Sequence, residues 1–298
     1  MKQYLFLLLI TLCCSVIVES QNVDTIPTME LTVISEVNQG CSSITLPLDI
    51  GNIEPLWFEG NLMPNFYVRR SKNSRLMGVF TPQIIIRMYR TRSNPVQTPS
   101  YMPQLSVYYL FSGKTKPNKL TLFGRLGHHS NGMDGEFLLP NGSVNTLNGD
   151  FSTNFAELGF ITTNTNKRFH AYQFYKSSFE FHPNGWTPDK FDGIYSKLRW
   201  HNTISLYKLP DGGSKFKLKK AQFSVKGEAT WMFGGMREVK MTSFKRLNLG
   251  LTLYYLPKFL EDIGFFMNVY HGSDYYNIYF DNTLNVVRFG IMTEKLRF

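Results

Sequence analysis

The sequence predicts an all-β protein, an antiparallel transmembrane β-barrel of about twelve strands. Three observations carry that prediction. The 298 residues include 16 Tyr and 25 Phe, yet the mean hydropathy is only −0.20. Barrels combine these features because apolar residues occupy alternate strand positions and aromatic residues collect in interfacial girdles. No stretch after residue 20 has the run of 18 or so apolar residues that a transmembrane helix needs. From about residue 61 onward, extended segments of roughly ten residues alternate with turn-rich breaks at hairpin spacing.

Residues 1–20 read as a secretory signal peptide. Lys2 gives a short positive region, Tyr4 to Val18 form an apolar stretch, and Val18-Glu19-Ser20 offers a cleavage site. The apolar stretch is short for a membrane span. Cys13 and Cys14 lie within it, so the exported chain keeps Cys41 alone and has neither an internal disulfide nor a cysteine metal site. Residues 21–60, punctuated by Pro27, Pro47 and Pro55, read as an N-terminal extension, and residues 61–298 as the barrel domain.

Candidate strands run over Phe66–Ser71, Met77–Arg90, Gln104–Ser112, Lys119–His129, Ser152–Thr162, Arg168–Phe181, Ile194–Leu209, Leu218–Phe233, Ser243–Leu256, Gly264–Tyr270, Tyr276–Phe280 and Val286–Phe298. Turn residues fill the breaks, as in Pro140-Asn141-Gly142, Pro183-Asn184-Gly185, Pro210-Asp211-Gly212-Gly213 and Gly234-Gly235. The final strand ends on Phe298, as bacterial outer-membrane proteins often do, and a barrel closed by its last strand has no exposed edge.

The net charge of +10 comes from dispersed basic residues, including Arg69-Arg70-Ser71-Lys72, Lys215 to Lys220, Lys295 and Arg297. Export argues against a nucleic-acid partner. Basic loops beside an aromatic barrel suit anionic lipid head groups, or are simply solvated.

The chemistry concentrates in Gly127-His128-His129-Ser130-Asn131-Gly132, followed by Ser152-Thr153-Asn154. Strand side chains alternate with period 2, so His128 and Ser130 project from one face. An imidazole beside a hydroxyl is the minimum for a base-activated serine nucleophile. Asn154 on the next strand is placed to orient the imidazole. If His128 faces out, His129 must face the barrel interior. His170, His182, His201 and His271 are scattered without metal-ligand spacing, and Asn141-Gly142-Ser143, though it fits a glycosylation sequon, carries no meaning in a bacterial export context.

From Ser93 to Phe298 the chain resembles the outer membrane phospholipase A family. The resemblance rests on Ser93-Asn94-Pro95, Tyr101-Met102-Pro103-Gln104-Leu105, His128-x-Ser130-Asn131-Gly132, Ser152-x-Asn154, Pro188-Asp189 with Gly193, and the closing Gly290-Ile291-Met292 with Leu296-Arg297-Phe298. It implies a barrel in the outer-membrane bilayer that spans it many times and hydrolyses membrane phospholipids from an active site on its lipid-facing wall. Ser130 would be the nucleophile, His128 the general base and Asn154 the orienting residue.

The resemblance also implies calcium (Ca2+) dependence and a homodimer with ligands drawn from both chains. Ser93 and Met133 would offer backbone carbonyls, and Asp150 stands where the family has a hydroxyl. The connection from Ser130 to Asn154 is longer than the family's. Asp134, Glu136 and Asp150 within it form either a different calcium shell or a solvated loop.

Two rival readings remain. Lipid A 3-O-deacylase has a similar His-x-Ser-Asn pattern but a Glu as third residue, and Glu157 lies on the opposite strand face from Asn154. A porin-like barrel would make His128 and Ser130 incidental. Outward-facing His128 and Ser130 favour lipid hydrolysis; lumen-facing ones favour a channel.

Overall fold

A computed structural model describes residues 30–71, 74–113, 118–166, 171–208, 221–237 and 239–293. The expected signal peptide, His170, the 210–213 turn, the basic run Lys215–Lys220 and the terminal Phe298 lie outside the described residues.

Strand β5 (Leu76–Tyr89) sets the pattern for the whole wall. Met77, Val79, Thr81, Ile85, Arg87 and Tyr89 are buried inward, while Leu76 and Phe80 on the other parity are exposed. This two-residue period is the pleat of a β-strand with two chemically different sides.

The sheet closes on itself. Its ring runs β1 (Ser43–Thr45), β3 (Leu56–Leu62), β5, β6 (Ser100–Leu110), β7 (Lys119–Ser130), β8 (Ser152–Asn166), β9 (Ala171–Phe181), β10 (Leu198–Lys208), β11 (Phe223–Phe233), β12 (Leu247–Tyr255), β13 (Ile263–Ser273) and β14 (Thr283–Thr293). The seam is antiparallel, with Ser43 opposite Met292, Ile44 opposite Ile291 and Thr45 opposite Gly290. Two further strands stand outside the ring: β2 (Ile50–Gly51) pairs with β14, and β4 (Phe66–Val68) pairs with β5.

Two sequence expectations change here. Residues 43–60, placed in an N-terminal extension, supply β1, β2 and most of β3 and so close the barrel. Pro47 and Pro55 break this region into pieces too short to show a period, and pairing with β14 and β5 supplies the order that local sequence lacks. Tyr276–Phe280 is not a strand. It contains the 3-10 turn Asn277–Tyr279 in the β13–β14 loop, where Asn277 has φ 30°, incompatible with extended backbone.

The barrel is polar inside and apolar outside. Leu62, Phe80, Leu105, Leu126, Leu158, Trp200, Leu251 and Phe265 are exposed on the outer wall, whereas Thr81, Arg87, Ser106, Glu157 and Arg288 are buried within. Water-soluble proteins have the reverse arrangement; membrane barrels have this one. No helix among the described residues is long and apolar enough to cross a membrane.

One end of the interior is filled. Helix α1 (Leu31–Gln39) packs Leu31 and Ile34 against Met77, Tyr108, Phe123 and Ile161 at the end bearing the β8–β9 connection. Gln39 Nε2 donates to Ser106 Oγ at 2.9 Å, and Arg125 Nη2 donates to Gln39 Oε1 at 3.0 Å. Above it, Glu157 receives Arg125, Lys176 and Ser178.

The opposite end carries the long β7–β8, β9–β10 and β13–β14 loops. They meet in a largely aromatic cap, where Phe137, Phe151, Phe191 and Tyr195 pack with Ile278. A cavity of about 1030 Å³ lies beneath this end, with His129, Glu180, His182 and Arg199 in its wall.

Candidate active site

Strand β7 ends at Ser130, at the rim under the long loops. Leu122 and Leu126 on this strand point outward, and His128 and Ser130 share their parity; Thr121 and Phe123 point inward, as does His129. The His129 ring meets Phe151 edge-on at 4.8 Å between centroids. On β8, Thr153 and Glu157 are inward, so Asn154 is outward with His128 and Ser130. The β7–β8 register sets His128 directly opposite Asn154 and Ser130 opposite Ser152.

The His128 and Asn154 side chains meet accordingly. His128 Nδ1 lies 2.8 Å from Asn154 Oδ1. The Asn154 amide is itself oriented, because its Nδ2 donates to the Trp186 carbonyl at 3.1 Å, and the Asn154 backbone N–H reaches the same carbonyl at 3.1 Å. With the NH₂ end committed, the oxygen must face the ring. An acceptor there requires Nδ1 to carry the proton, which leaves the Nε2 lone pair for a hydroxyl. The fixed tautomer is the one a general base needs.

The loop after Ser130 is a built structure rather than a floppy insertion. Asn131, almost fully buried, holds both ends together: its N–H donates to Phe151 O at 3.0 Å and its Nδ2 to Gly149 O at 2.9 Å, while its Oδ1 accepts from the amides of Phe151 and Met133 at 2.9 and 3.2 Å. Asn145 closes the inner turn through Glu136 O and Asn148. Asn131 thus explains how a lengthened connection still delivers Asn154 to His128. Its role, like that of the Trp186 carbonyl, depends on backbone partners that sequence spacing does not display.

The residues expected to hold calcium are arranged differently. Ser93 sits in the β5–β6 turn with φ 70°, beside Asn94, whose side chain accepts from Trp57 Nε1 at 2.8 Å. Met133 is in the β7–β8 loop. Asp150 is paired with the ammonium of Lys190 from the β9–β10 loop. Asp134 and Glu136 are exposed. Among the described residues no three His, Cys, Asp or Glu side chains are grouped to hold a metal ion. Calcium takes six to eight oxygen ligands, carboxylates, carbonyls and waters among them; of the three residues expected to serve it only Asp150 brings a carboxylate, and Lys190 already occupies that group, so the side chains as arranged do not fit the ion. Glu157 is equally unavailable as a third catalytic residue, since it faces inward and is held by Arg125 and Lys176.

Below the site, His182 joins the β9–β10 loop to β8. Its Nδ1 is 2.9 Å from Thr153 Oγ1 and its Nε2 3.0 Å from Glu180 Oε1. Burial holds the ring's pKa below its ordinary value of 6.5, against the opposing hydrogen bond to Glu180. As pH falls through 6.5 the unfolded chain takes up a proton that folded His182 resists, so stability drops on acidification. We expect the unfolding midpoint to fall between about pH 7.5 and 5, and His182→Gln to flatten that slope. An unchanged slope in the variant would remove His182 from the account.

If the hydrolysis expected from the sequence takes place here, Asn154→Ala should lower turnover by about 10- to 100-fold, less than the loss of a base worth about 10²–10⁴. The check is fatty-acid release by a variant with unaltered barrel spectra. A wild-type rate would mean that Nδ1 needs no acceptor.

A closed barrel with an apolar outer wall, a polar interior and a His–Asn pair beside a serine on its outer face belongs to the membrane-barrel class. No protein-family model matches the chain, and no curated protein sequence does either. Among solved structures, its fold is that of outer membrane phospholipase A. It is similar to the Escherichia coli protein of that name with a TM-score of 0.51 at 13% identity, over 80% of each chain. The likeness to the Salmonella typhi outer membrane phospholipase, a dimer with bound calcium, reaches a TM-score of 0.56 at 11% identity, covering 92% of this chain and 95% of that one. An active-site mutant of the E. coli protein gives 0.53 at 12% identity over 93% and 95%.

Proposed function

We propose that the chain is an outer-membrane serine hydrolase that cleaves acyl ester bonds of phospholipids, with Ser130 as nucleophile, His128 as general base and Asn154 as the residue that orients the base. One observation carries this reading: the 2.8 Å His128–Asn154 contact lies on the outward, apolar side of the wall, together with Ser130. A site that faces acyl chains rather than a lumen is placed for a substrate dissolved in the bilayer. The interior ion pairs and α1 leave little room for the porin reading.

In the forward step His128 Nε2 takes the Ser130 proton as Oγ attacks the ester carbonyl, and then returns it to the departing lysolipid alkoxide. Water repeats the sequence on the acyl-enzyme and frees the fatty acid. The oxyanion needs a donor outside the ladder, where strand amides are already committed. Asn131 N–H is used on Phe151 O, so the next amide, that of Gly132, is the candidate. Gly132 has φ +69°, a conformation that an L side chain adopts at a cost of about 1–2 kcal/mol.

The relative's calcium does not enter these steps, because Asp150 is engaged by Lys190. Dimer formation belongs to the same reading. A site on a convex wall covers an acyl chain from one side only, and a second copy of the chain would cover the other.

The test is release of fatty acid from phospholipid micelles by purified protein, with and without calcium, beside a Ser130→Ala control. Absence of release by the folded wild-type barrel in both conditions would end the hydrolase reading.

A further inference from the structure

The ion pair at Asp150 is the feature that neither the sequence reading nor the comparisons anticipate. Lys190 reaches it from the 3-10 turn Asp189–Phe191 in the β9–β10 loop. The ammonium also lies 5.5 Å from the Phe137 ring centroid and 5.9 Å from that of Phe191, two faces of the aromatic cap. Ring faces attract cations, the more so when water is partly excluded. About two thirds of each partner's side chain is shielded, with 31% of Lys190 and 34% of Asp150 exposed. The carboxylate belongs to the segment that carries the nucleophile: Asp150 N–H donates to Gly135 O at 2.9 Å, and the adjoining Phe151 exchanges two backbone-to-Asn131 bonds immediately after Ser130.

The Asp150 carboxylate thus already has its cation. A divalent ion bound at Asp150 would have to displace a tethered ammonium already neutralising that carboxylate. It would also have to find further oxygen ligands where Asp134 is exposed and Glu136 is already drawn to the same Lys190 ammonium.

Resting on the hydrolase reading above, we infer that Lys190 is this chain's built-in replacement for an exchangeable divalent cation, and that hydrolysis at Ser130 proceeds without calcium. Lys190 is a positioning residue. It ties Asp150, and through Phe151 and Asn131 the end of β7, to the cap.

The experiment uses the full-length barrel in phospholipid micelles. Wild-type protein should release fatty acid at the same rate in excess chelator as in millimolar calcium, and terbium, as a luminescent calcium substitute, should show no saturable binding. Lys190→Gln frees Asp150; it should lose about tenfold or more in chelator, regain part of that rate with calcium, and acquire terbium binding. A merely structural lysine would give a loss that no ion repairs. Lys190→Arg keeps the charge and should retain chelator-resistant activity, which covers the case in which the Gln variant does not fold. Wild-type activity that disappears in chelator and returns with calcium overturns the inference while leaving the hydrolase reading intact. No activity in either condition from a folded barrel overturns both.

Discussion

Ser130→Ala should abolish lipid hydrolysis, lowering fatty-acid release by about 10³-fold or more while leaving the barrel folded. The size follows from what is removed. Without Oγ there is no acyl-enzyme, and the His128–Asn154 contact, 2.8 Å long, has nothing to deprotonate but water. His128→Ala should cost nearly as much, and the double variant little more than either, because nucleophile and base act as a unit. The exposed position of the strand face means that neither change opens a core cavity, so β-sheet circular dichroism and heat-shifted gel mobility should match wild type. Undiminished release by the Ser130→Ala barrel would remove the serine mechanism.

The largest stability effect should come from Arg87. It is 2% exposed, and its three nitrogens are all engaged: Nε with Glu59 Oε2 at 2.6 Å, Nη1 and Nη2 with the two Asp274 oxygens at 2.7 and 2.8 Å. The guanidinium lies 4.4 Å from the Tyr276 ring centroid. Arg288 shares Glu59 and also reaches Asp49. Arg87→Met keeps most of the volume but leaves Asp274 buried without its cation, at a cost of about 3–5 kcal/mol. Asp274 begins the β13–β14 loop, where Tyr276 OH and Asn277 both donate to Thr98 O at 3.0 Å, so the loop cap should loosen with it. Urea unfolding in detergent, followed by tryptophan fluorescence, checks the shift. A midpoint equal to wild type would show that Arg288 alone neutralises the cluster.

How much of this was legible beforehand depends on the range of the force involved. Alternation of apolar residues marked β5 and β14 because a long strand with two different faces repeats the signal many times. Ten of the expected segments correspond to strands of the ring, with ends that move by a few residues. The short strands β1 and β3 gave no such repeat, and their order comes from partners far along the chain. Tyr276–Phe280 misled because aromatic residues suit both a strand and a packed loop cap. At the site, the His128-x-Ser130 spacing was enough to put both on one face. The orientation of Asn154, set by the Trp186 carbonyl, was not readable, since a backbone acceptor leaves no mark in residue type.

Local chemistry therefore determined the fold class, the shared face of His128 and Ser130, and the opposite face of His129, because a period of two needs only neighbours in sequence. The tertiary structure alone decided four things: which face of the sheet looks outward, how the barrel closes, that one end of its interior is plugged by α1 and buried ion pairs, and that Asp150 meets Lys190 instead of standing free as a calcium ligand beside the Ser93 and Met133 carbonyls. Each of the last three joins segments that only the closed sheet brings together, and an ion pair is chosen by which opposite charge arrives within reach.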